Sequence, residues 1–331
     1  MLVLDNQATV TQDAHLRPLD VTRDLMEVAD LIEQCFSATM DPDGQEYLRQ
    51  MRRMARDASF LRWASGLAEK TGTPMSGFVW EDHGHVVGNL SLIPLTRQGK
   101  RVYLIANVAV YPEYRKNGIG TALTQRGIDH AHKRGAWAAW LQVRADNLSA
   151  YNIYRRLGFV ERARRSTWQF TPRPGFQNPI LPEAIVTPRF HGDWSLQERW
   201  LSELYPPQIT WNLPLQLSRL KPGFFNDLFL FLSNETIRHW AARSQGKLVG
   251  VLTWQPSHTY ADHLWLATRP EFEDQAIRTL LPRACRDLNS RRPIALNYPA
   301  DQGVEALEEV GFEDHQTLVW MEIPFRSQIL S

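Results

Sequence analysis

One segment in the first half of the sequence combines basic residues with closely spaced glycines. Val108 to Thr121 reads VAVYPEYRKNGIGT, so an apolar strand is followed by the basic pair Arg115 and Lys116 and then by glycines before a predicted helix. The first N–H groups of a helix have no partner inside the helix, and the positive end of the helix dipole attracts anions. Gly118 and Gly120 would let a phosphate approach the main chain closely. The segment therefore predicts a turn that binds a pyrophosphate group.

A second motif follows further along the chain. Asn147 to Phe159 reads NLSAYNIYRRLGF, which spaces an asparagine, an alanine, a tyrosine and a Gly-Phe pair along a predicted helix. The turn Arg-x-x-Gly-x-Gly after a Val-x-Val strand, together with Asn-x-x-Ala-x-x-x-Tyr-x-x-x-Gly-Phe, resembles the signatures of the GNAT superfamily of acyl-CoA-dependent N-acetyltransferases. The resemblance covers Ala14 to Phe170 in full and Pro188 to Phe325 in weakened form.

The resemblance implies a role for each matching residue. The amides of the turn Arg115 to Thr121 would bind the pyrophosphate of CoA, and the main chain of Val108 and Val110 would bond the pantetheine arm like an added strand. Asn147 would hold the pantetheine, and Tyr154 would be the catalytic acid that protonates the departing CoA thiolate. The cofactor-binding residues implied in this way are Val108, Ala109, Val110, Arg115, Lys116, Asn117, Gly118, Ile119, Gly120, Thr121, Asn147, Ala150 and Tyr154.

The general base is not assigned by the resemblance. Many members of the superfamily carry a glutamate just before the Val-x-Val strand, where this chain has Ala106 and Asn107. Other carboxylates and imidazoles are better interpreted as hairpin-tip or capping residues, namely Asp82, His83, His85 and Asp146. A water relay to backbone carbonyls, or an amine that arrives already deprotonated, would also serve.

The elements that position these residues follow from the spacing of apolar residues. Helices are predicted over Asp20 to Cys35, with Asp20 or Thr22 as a possible cap, over about Ile119 to Arg134, and over Ser149 to Leu157, the last ending at Gly158 in a left-handed cap. Apolar and β-branched runs predict strands at Phe78 to Trp80, Val86 to Ile93, Tyr103 to Tyr111 and Ala136 to Val143.

Two charged segments have both a functional and a structural interpretation. The acidic segment Phe36 to Glu46 could attract a cationic amine, and we expect it to be a solvated loop. The cluster of Arg162, Arg164 and Arg165 could meet the 3′-phosphate of CoA, and we expect it to form a solvated strand edge.

The two halves of the sequence are similar to each other. Three blocks recur in the same order: Gly84 to Pro94 with Gly246 to Pro256, Pro112 to Leu123 with Pro270 to Leu281, and Gly158-Phe159 with Gly311-Phe312. We interpret the chain as a tandem duplication of one α/β module, that is, of the GNAT fold with its α+β mixed sheet. Pro172 to Pro188 is proline-rich and predicts a linker. The predicted domains are 1–171, a linker 172–188, and 189–331.

The second half loses the residues that carry chemistry. The replacements are Arg115 by Glu273, Lys116 by Asp274, Gly118 by Ala276, Gly120 by Arg278 and Tyr154 by Leu307. Two acids would repel a pyrophosphate, and an arginine side chain would occupy its space. We therefore expect a degenerate, GNAT-like second domain without the pyrophosphate turn. It would serve as the partner in an intramolecular pseudo-dimer, line the acceptor pocket, or cover the site.

Composition excludes several classes of function. The 331 residues carry a net charge of +1, which gives no overall field for nucleic acid, and 43% hydrophobic with 22% charged residues is typical of a folded globular protein. Cys35 and Cys285 are too far apart in the sequence to predict a disulfide framework or a zinc site, and no metal is expected. No apolar run approaches the roughly 18 residues of a membrane span. We expect a cytoplasmic protein with no membrane partner.

Together these features predict an N-acetyltransferase. Its N-terminal domain would use acetyl-CoA as co-substrate and move the acetyl group to an amine of an unidentified acceptor, by direct attack in a ternary complex. The alternative is a non-catalytic acyl-CoA-binding sensor or scaffold, which the missing glutamate before Val108 suggests. Retention of Tyr154 favours catalysis, because a binding module needs no acid for a leaving group. The acceptor and the oligomeric state stay open.

Overall fold

The helices and strands predicted in the first half of the chain are present in the predicted order, and the structure adds further elements between them. The computed structural model describes residues 14–57, 59–61, 76–172, 184–211, 213–223, 236–288 and 292–325. The labelled helices are α1 Val21–Phe36, α2 Pro42–Arg56, α3 Ile119–Lys133, α4 Leu148–Arg156, α5 Trp194–Leu204, α6 Pro207–Thr210, α7 Leu217–Leu220, α8 Glu273–Leu288 and α9 Val304–Glu309. The labelled strands are β1 Leu16–Pro18, β2 Ser76–Asp82, β3 His85–Arg97, β4 Lys100–Val110, β5 Ala138–Arg144, β6 Val160–Phe170, β7 Ile185–Thr187, β8 Arg238–Ser244, β9 Lys247–Gln255, β10 Asp262–Thr268, β11 Ile294–Pro299 and β12 Glu313–Pro324.

The chain divides into two compact units. Unit 1 comprises Met1–Arg162 with Trp320–Ser331, and unit 2 comprises Ala163–Val319. Both divisions fall inside strands, β6 and β12, because these strands find their partners outside their own half of the sequence. β6 pairs with β11 from Ile294↔Phe170 to Pro299↔Arg165. The compact units therefore divide the chain after residues 162 and 319, and not at the predicted boundaries 171 and 189. Whether the predicted domains fold separately stays a prediction.

Unit 1 is a mixed sheet covered by helices. Its strands follow the order β1, β2, β3, β4, β5 and residues 320–324 of β12; β1 to β4 pair antiparallel, and β4 pairs parallel with β5. The parallel pair requires a crossover, which α3 provides. A core containing Leu25 and Leu48 joins α1 and α2 to the sheet. α3 packs against β3 at two glycines. Gly88 of β3 leaves room for side chains of the helix, and Gly127 of α3 leaves room for Leu90 of the strand.

The predicted helix ends in unit 1 are largely confirmed. Asp20 caps α1 by accepting a hydrogen bond from the Thr22 N–H at 2.9 Å, and Gly158 has the left-handed φ of 95° expected of a C-terminal cap. The expectation of a loop over Phe36 to Glu46 is wrong. A 3₁₀ turn at Ser37–Thr39 leads directly into α2, because Asp41 caps the new helix through the Gly44 N–H at 2.7 Å.

Unit 2 repeats this architecture. Its strand order is β7, β8, β9, β10, β11, β6 and residues 313–319 of β12, and β10 and β11 form the parallel pair. The repeat extends to single hydrogen bonds. The Phe159 N–H donates to the Tyr154 carbonyl and the Phe312 N–H donates to the Leu307 carbonyl, both at 3.0 Å. Leu307 is thus the counterpart of Tyr154, as the sequence predicts.

Arg165 does not lie on a solvated strand edge, and that expectation is wrong for it. Its strand, β6, lies between β11 and β12 in the order of unit 2, so both sides are covered. The side chain is 4% exposed and donates to the Leu204 carbonyl at 2.7 Å and to Asn297 Oδ1 at 2.8 Å. A buried guanidinium keeps its charge only where such acceptors surround it.

The predicted linker falls mostly outside the described residues, which exclude 173–183. Its last part is a strand, because β7 pairs with β8 from Ile185↔Arg243 to Thr187↔Ala241. Within the described ranges, no helix has the length and apolar character needed to span a membrane. The pseudo-dimer stays a prediction.

A half-buried histidine in unit 2 gives a pH-dependent stability. The His239 Nδ1 shares a 2.9 Å hydrogen bond with Thr253 Oγ1, which accepts another from Gln197 Nε2 at 2.9 Å. Burial, with help from the charge of Arg189, lowers the pKa of His239 from 6.5 to about 3. The unfolded chain takes up this proton below pH 6.5 and the folded chain does not, so acid favours unfolding.

We therefore expect the free energy of unfolding to fall by about 1.4 kcal/mol per pH unit below pH 6.5 through this residue alone. The variant His239→Asn keeps an acceptor for Thr253 and removes the titration. Urea unfolding at pH 5, 6 and 7 measures the difference between the two proteins. The same dependence on pH in both would contradict the assignment.

Candidate active site

β4 separates from β5 before β4 ends, and we call the region between the two strands beyond this point the cleft. The two strands pair only from Val102↔Ala138 to Ile105↔Leu141, although β4 continues to Val110. Asn107 has a left-handed φ of 50° at a shift of register against β3, which marks a bulge. A bulge bends its strand, so the main-chain groups beyond it lose their partners on β5. The Tyr111 N–H turns toward β3, where it meets the Val87 carbonyl at 3.1 Å, so by alternation the N–H and C=O of Val110 face the cleft.

One of these main-chain groups is already occupied. The Val110 carbonyl accepts hydrogen bonds from Arg115 Nε at 3.0 Å and from the Cys35 thiol at 3.3 Å. The main-chain group that Val110 offers to a ligand is therefore its N–H. Arg115 reaches back to the strand, and its guanidinium fixes the turn against the end of β4.

The predicted pyrophosphate turn has the backbone that its glycines suggest. Lys116 and Gly118 have left-handed φ values of 66° and 80°, and Gly118 stands at the N-cap of α3. In the described part of the chain, the N–H groups of residues 116–121 donate to no main-chain carbonyl; the first helical bond is from the Ala122 N–H to the Gly118 carbonyl at 2.9 Å. Among the described residues, a side chain on Gly120 would meet only Val110 Cγ2, at 3.9 Å. The turn thus presents N–H groups without a main-chain partner beside open space, which suits a phosphate.

Unit 2 has replaced this turn with helix. α8 begins at Glu273, the counterpart of Arg115, and continues through Ala276, the counterpart of Gly118. The Glu273 carboxylate accepts a hydrogen bond from the Tyr298 hydroxyl at 2.8 Å, and Arg278 pairs with Glu309 at 2.6 Å. Side chains therefore fill the space that a phosphate would need.

The second motif supplies α4. Asn147 Oδ1 caps this helix by accepting from the Ala150 N–H at 3.1 Å, so only the Asn147 Nδ2 donors are left for a ligand. Tyr154 is 7% exposed and packs edge-on against Phe159. Burial raises the pKa of Tyr154 to about 12, and its hydroxyl has no hydrogen bond within the described residues. The phenol therefore holds its proton at neutral pH.

The other side chains considered as general bases are hairpin-tip or ion-paired residues. His83 has a φ of 47° at the tip of the β2–β3 hairpin, and its side chain is 92% exposed. Asp82 lies 3.7 Å from the His15 ring and Asp146 pairs with Arg144 at 2.7 Å. The cap of α4 is Asn147 and not Asp146, because Asn147 is the residue whose side chain reaches a free N–H of the first turn.

A polar group of residues beside the bulge was not predicted from the sequence. We call Tyr47, Asn89, Ser91 and Asn107 the amide cluster. Asn107 Nδ2 donates to the Tyr47 hydroxyl at 3.1 Å and to Ser91 Oγ at 3.3 Å, and Asn89 Nδ2 donates to the Asn107 carbonyl at 2.9 Å. Asn89 and Ser91 are 0% and 1% exposed. Two polar residues inside the apolar run of β3 were the signal in the sequence.

The first half of the chain is similar to known acetyltransferases. Residues 27–159 match the family model described as Acetyltransferase (GNAT) family. A segment of 74 residues is 38% identical to the ribosomal protein bS18-alanine N-acetyltransferase of Escherichia coli (strain K12), covering 22% of this chain and 50% of that protein. An uncharacterized N-acetyltransferase of Methanocaldococcus jannaschii is 32% identical over 152 residues, 45% of this chain and 62% of that one. The chain thus spans only half the length of the first of these relatives.

The fold comparison covers almost the whole molecule. The crystal structure of a GCN5-related N-acetyltransferase from Sphaerobacter thermophilus aligns over 94% of this chain and 96% of that chain, with a TM-score of 0.56 and 17% sequence identity. At this identity the likeness shows the fold alone, and it confirms the predicted fold class of a mixed α/β GNAT architecture. Over residues 27–159, the chain is similar to the GNAT family of acetyltransferases.

Proposed function

We propose that unit 1 transfers an acetyl group from acetyl-CoA to an amine by direct attack in a ternary complex. One observation carries this proposal. Beyond Ile105, main-chain groups of β4 have no partner on β5, and the chain then runs into the turn, where the N–H groups of residues 116–121 donate to no main-chain carbonyl. That continuity suits a ligand with an extended arm and a pyrophosphate. Main-chain groups of Val108 and the Val110 N–H would bind the arm, and the turn with Arg115 and Lys116 would bind the pyrophosphate.

The chain's own residues supply the remaining chemistry. The amine nitrogen forms a bond to the thioester carbonyl carbon, the carbon–sulfur bond breaks, and the proton of the amine leaves to solvent. A main-chain N–H of β4 freed by the bulge would stabilise the charge that develops on the carbonyl oxygen. The Tyr154 hydroxyl would give its proton to the sulfur. Burial disfavours the charged forms of both phenol and thiol, so a thiolate released beside Tyr154 is more basic there than in water.

A second candidate is a non-catalytic acyl-CoA-binding module. The observation behind it is the residue before Val108, which is Asn107 and carries no ionisable group. Such a module would bind acetyl-CoA without consuming it. Release of CoA on addition of an amine separates the two functions.

The binding step is tested by stoichiometry. Because unit 2 has filled its turn with the Glu273 and Arg278 side chains, we expect calorimetry to give one acetyl-CoA bound per chain. A stoichiometry near two would contradict the degeneracy of unit 2. A panel of polyamines, amino acids, aminoglycosides and peptides, assayed for CoA release, then tests the transfer.

A further inference from the structure

Asn89 is a buried polar residue at a position that the fold fills with an apolar one in unit 2. Asn89 pairs with Ala109 across β3 and β4, and Val251 pairs with Ala267 at the corresponding place in β9 and β10. Both side chains are 0% exposed. Folding therefore does not require an amide at this position. Asn89 Oδ1 is moreover buried without a hydrogen-bond partner in the described structure, which destabilises the folded chain unless a ligand satisfies it.

The orientation of the Asn89 amide is fixed by its neighbour. The Asn107 carbonyl lies 2.9 Å from Asn89 Nδ2, and a carbonyl can only accept a hydrogen bond. The nitrogen must therefore face Asn107, which leaves Oδ1 as the unsatisfied acceptor. Asn107 is the bulge residue from which β4 leaves β5, so the Asn89 amide that carries this acceptor adjoins the point where the two strands separate.

The amide cluster also contains a hydroxyl donor that has no acceptor in the described ranges. The Tyr47 hydroxyl accepts from Asn107 Nδ2 and donates to no residue in the described ranges. Burial raises the pKa of Tyr47 to about 12, so the phenol keeps its proton and acts as a donor and not as a base. An acceptor and a donor thus lie together, and every member of the amide cluster is neutral.

At the corresponding position in unit 2, the polar side chains have hydrogen-bond partners. Thr253, the counterpart of Ser91, bonds both Gln197 and His239. Its β10 also lacks the bulge: one residue separates Trp265 from Ala267, where two separate Ala106 from Ala109. The unit that lost the turn has also lost both the bulge and the unsatisfied amide.

We propose that the amide cluster is the docking point of the acceptor, and that the acceptor is an α-amine, as in an amino acid or a peptide N-terminus, bound as the free base. This inference rests on the proposed acetyl transfer. An amine N–H donates to Asn89 Oδ1 and keeps the nitrogen lone pair free for the carbonyl carbon. The Tyr47 hydroxyl donates to the carbonyl oxygen that adjoins an α-amine.

The neutrality of the cluster selects the class of amine. An ammonium group has no lone pair, and burying its charge among neutral dipoles is unfavourable. The α-amine has a pKa of about 7.7 to 8.0 and the lysine side chain one of about 10.4, so at pH 7 the free base is on the order of 10²- to 10³-fold more abundant for the α-amine. The cluster therefore favours α-amines over lysine side chains.

The test uses the full chain and a peptide library with random first two residues, in which each peptide has a free α-amine and one internal lysine. Mass spectrometry identifies the acetylated nitrogen. We expect the wild type to acetylate the α-nitrogen over the lysine nitrogen by roughly tenfold or more. Asn89→Val, which copies unit 2, should lower kcat/KM for the α-amine by roughly tenfold or more while the melting temperature and acetyl-CoA affinity are kept. Tyr47→Phe should raise KM.

A matched control is Thr253→Val in unit 2, which also replaces a buried polar residue by valine. It should lower the melting temperature and leave kcat/KM unchanged. Equal acetylation of both nitrogens, wild-type kinetics in Asn89→Val, or no peptide acetylation by a chain that binds acetyl-CoA would each overturn the docking point. A wild type that fails to bind acetyl-CoA would overturn the proposed function and the docking point with it.

Discussion

Replacing Gly120 with arginine should abolish acetyl-CoA binding while leaving the protein folded. Gly120 lies in the first turn of α3 with no left-handed φ, and Val110 Cγ2 is the only atom of the described ranges within 4 Å of a Cβ placed there. The arginine would therefore fit without strain and fill the space in front of the unspent N–H groups. Calorimetry should show affinity weakened by roughly 100-fold or more, because the phosphate loses several charge-assisted hydrogen bonds at once. The melting temperature should hardly change.

Gly192→Arg is the matched control for this variant. Gly192 also has open space around it and no left-handed φ, and it belongs to unit 2 and not to the turn. It should bind acetyl-CoA as the wild type does. Normal binding by Gly120→Arg would show that the pyrophosphate does not lie on this turn.

Replacing Tyr154 with phenylalanine should slow turnover and spare binding. The change deletes one hydroxyl, which has no hydrogen bond within the described residues, and keeps the ring against Phe159. Loss of a general acid typically costs 10²- to 10⁴-fold in rate. Since burial raises the pKa of Tyr154 to about 12, the acid form is lost only as pH rises through about 12, and the wild-type rate should show no such loss below pH 10. Steady-state kinetics from pH 6 to 10 measure both effects.

Tyr151→Phe on the same helix is the control for that experiment. Its hydroxyl donates to Glu161 Oε2 at 3.0 Å and has no part in the proposed transfer. Its turnover should stay near the wild-type value. If Tyr154→Phe also turned over at the wild-type rate, solvent would be the source of the proton.

Features that depend only on residues adjacent in the chain could be predicted from the sequence. The strand, turn and helix around Gly118 are encoded within one short segment, because a left-handed φ at the N-cap favours a residue without a Cβ. The end of α4 at Gly158 is local for the same reason, and the cap at Asp20 is local because its carboxylate accepts the N–H of a residue two positions on. The loss of the turn in unit 2 was also predictable, since Ala276 continues the helix.

Tertiary structure decided whatever depends on partners distant in sequence. Arg165 is buried because β6 pairs with β11, and no local pattern encodes a strand's partner. The bulge at Asn107 exists only as a shift of register against β3, and it brings Tyr47 of α2 to Asn89 of β3. Hydrogen bonds between residues far apart in the chain form only when the sheet closes. The turn could therefore be predicted from the sequence, whereas the amide cluster and the division into units follow from the fold.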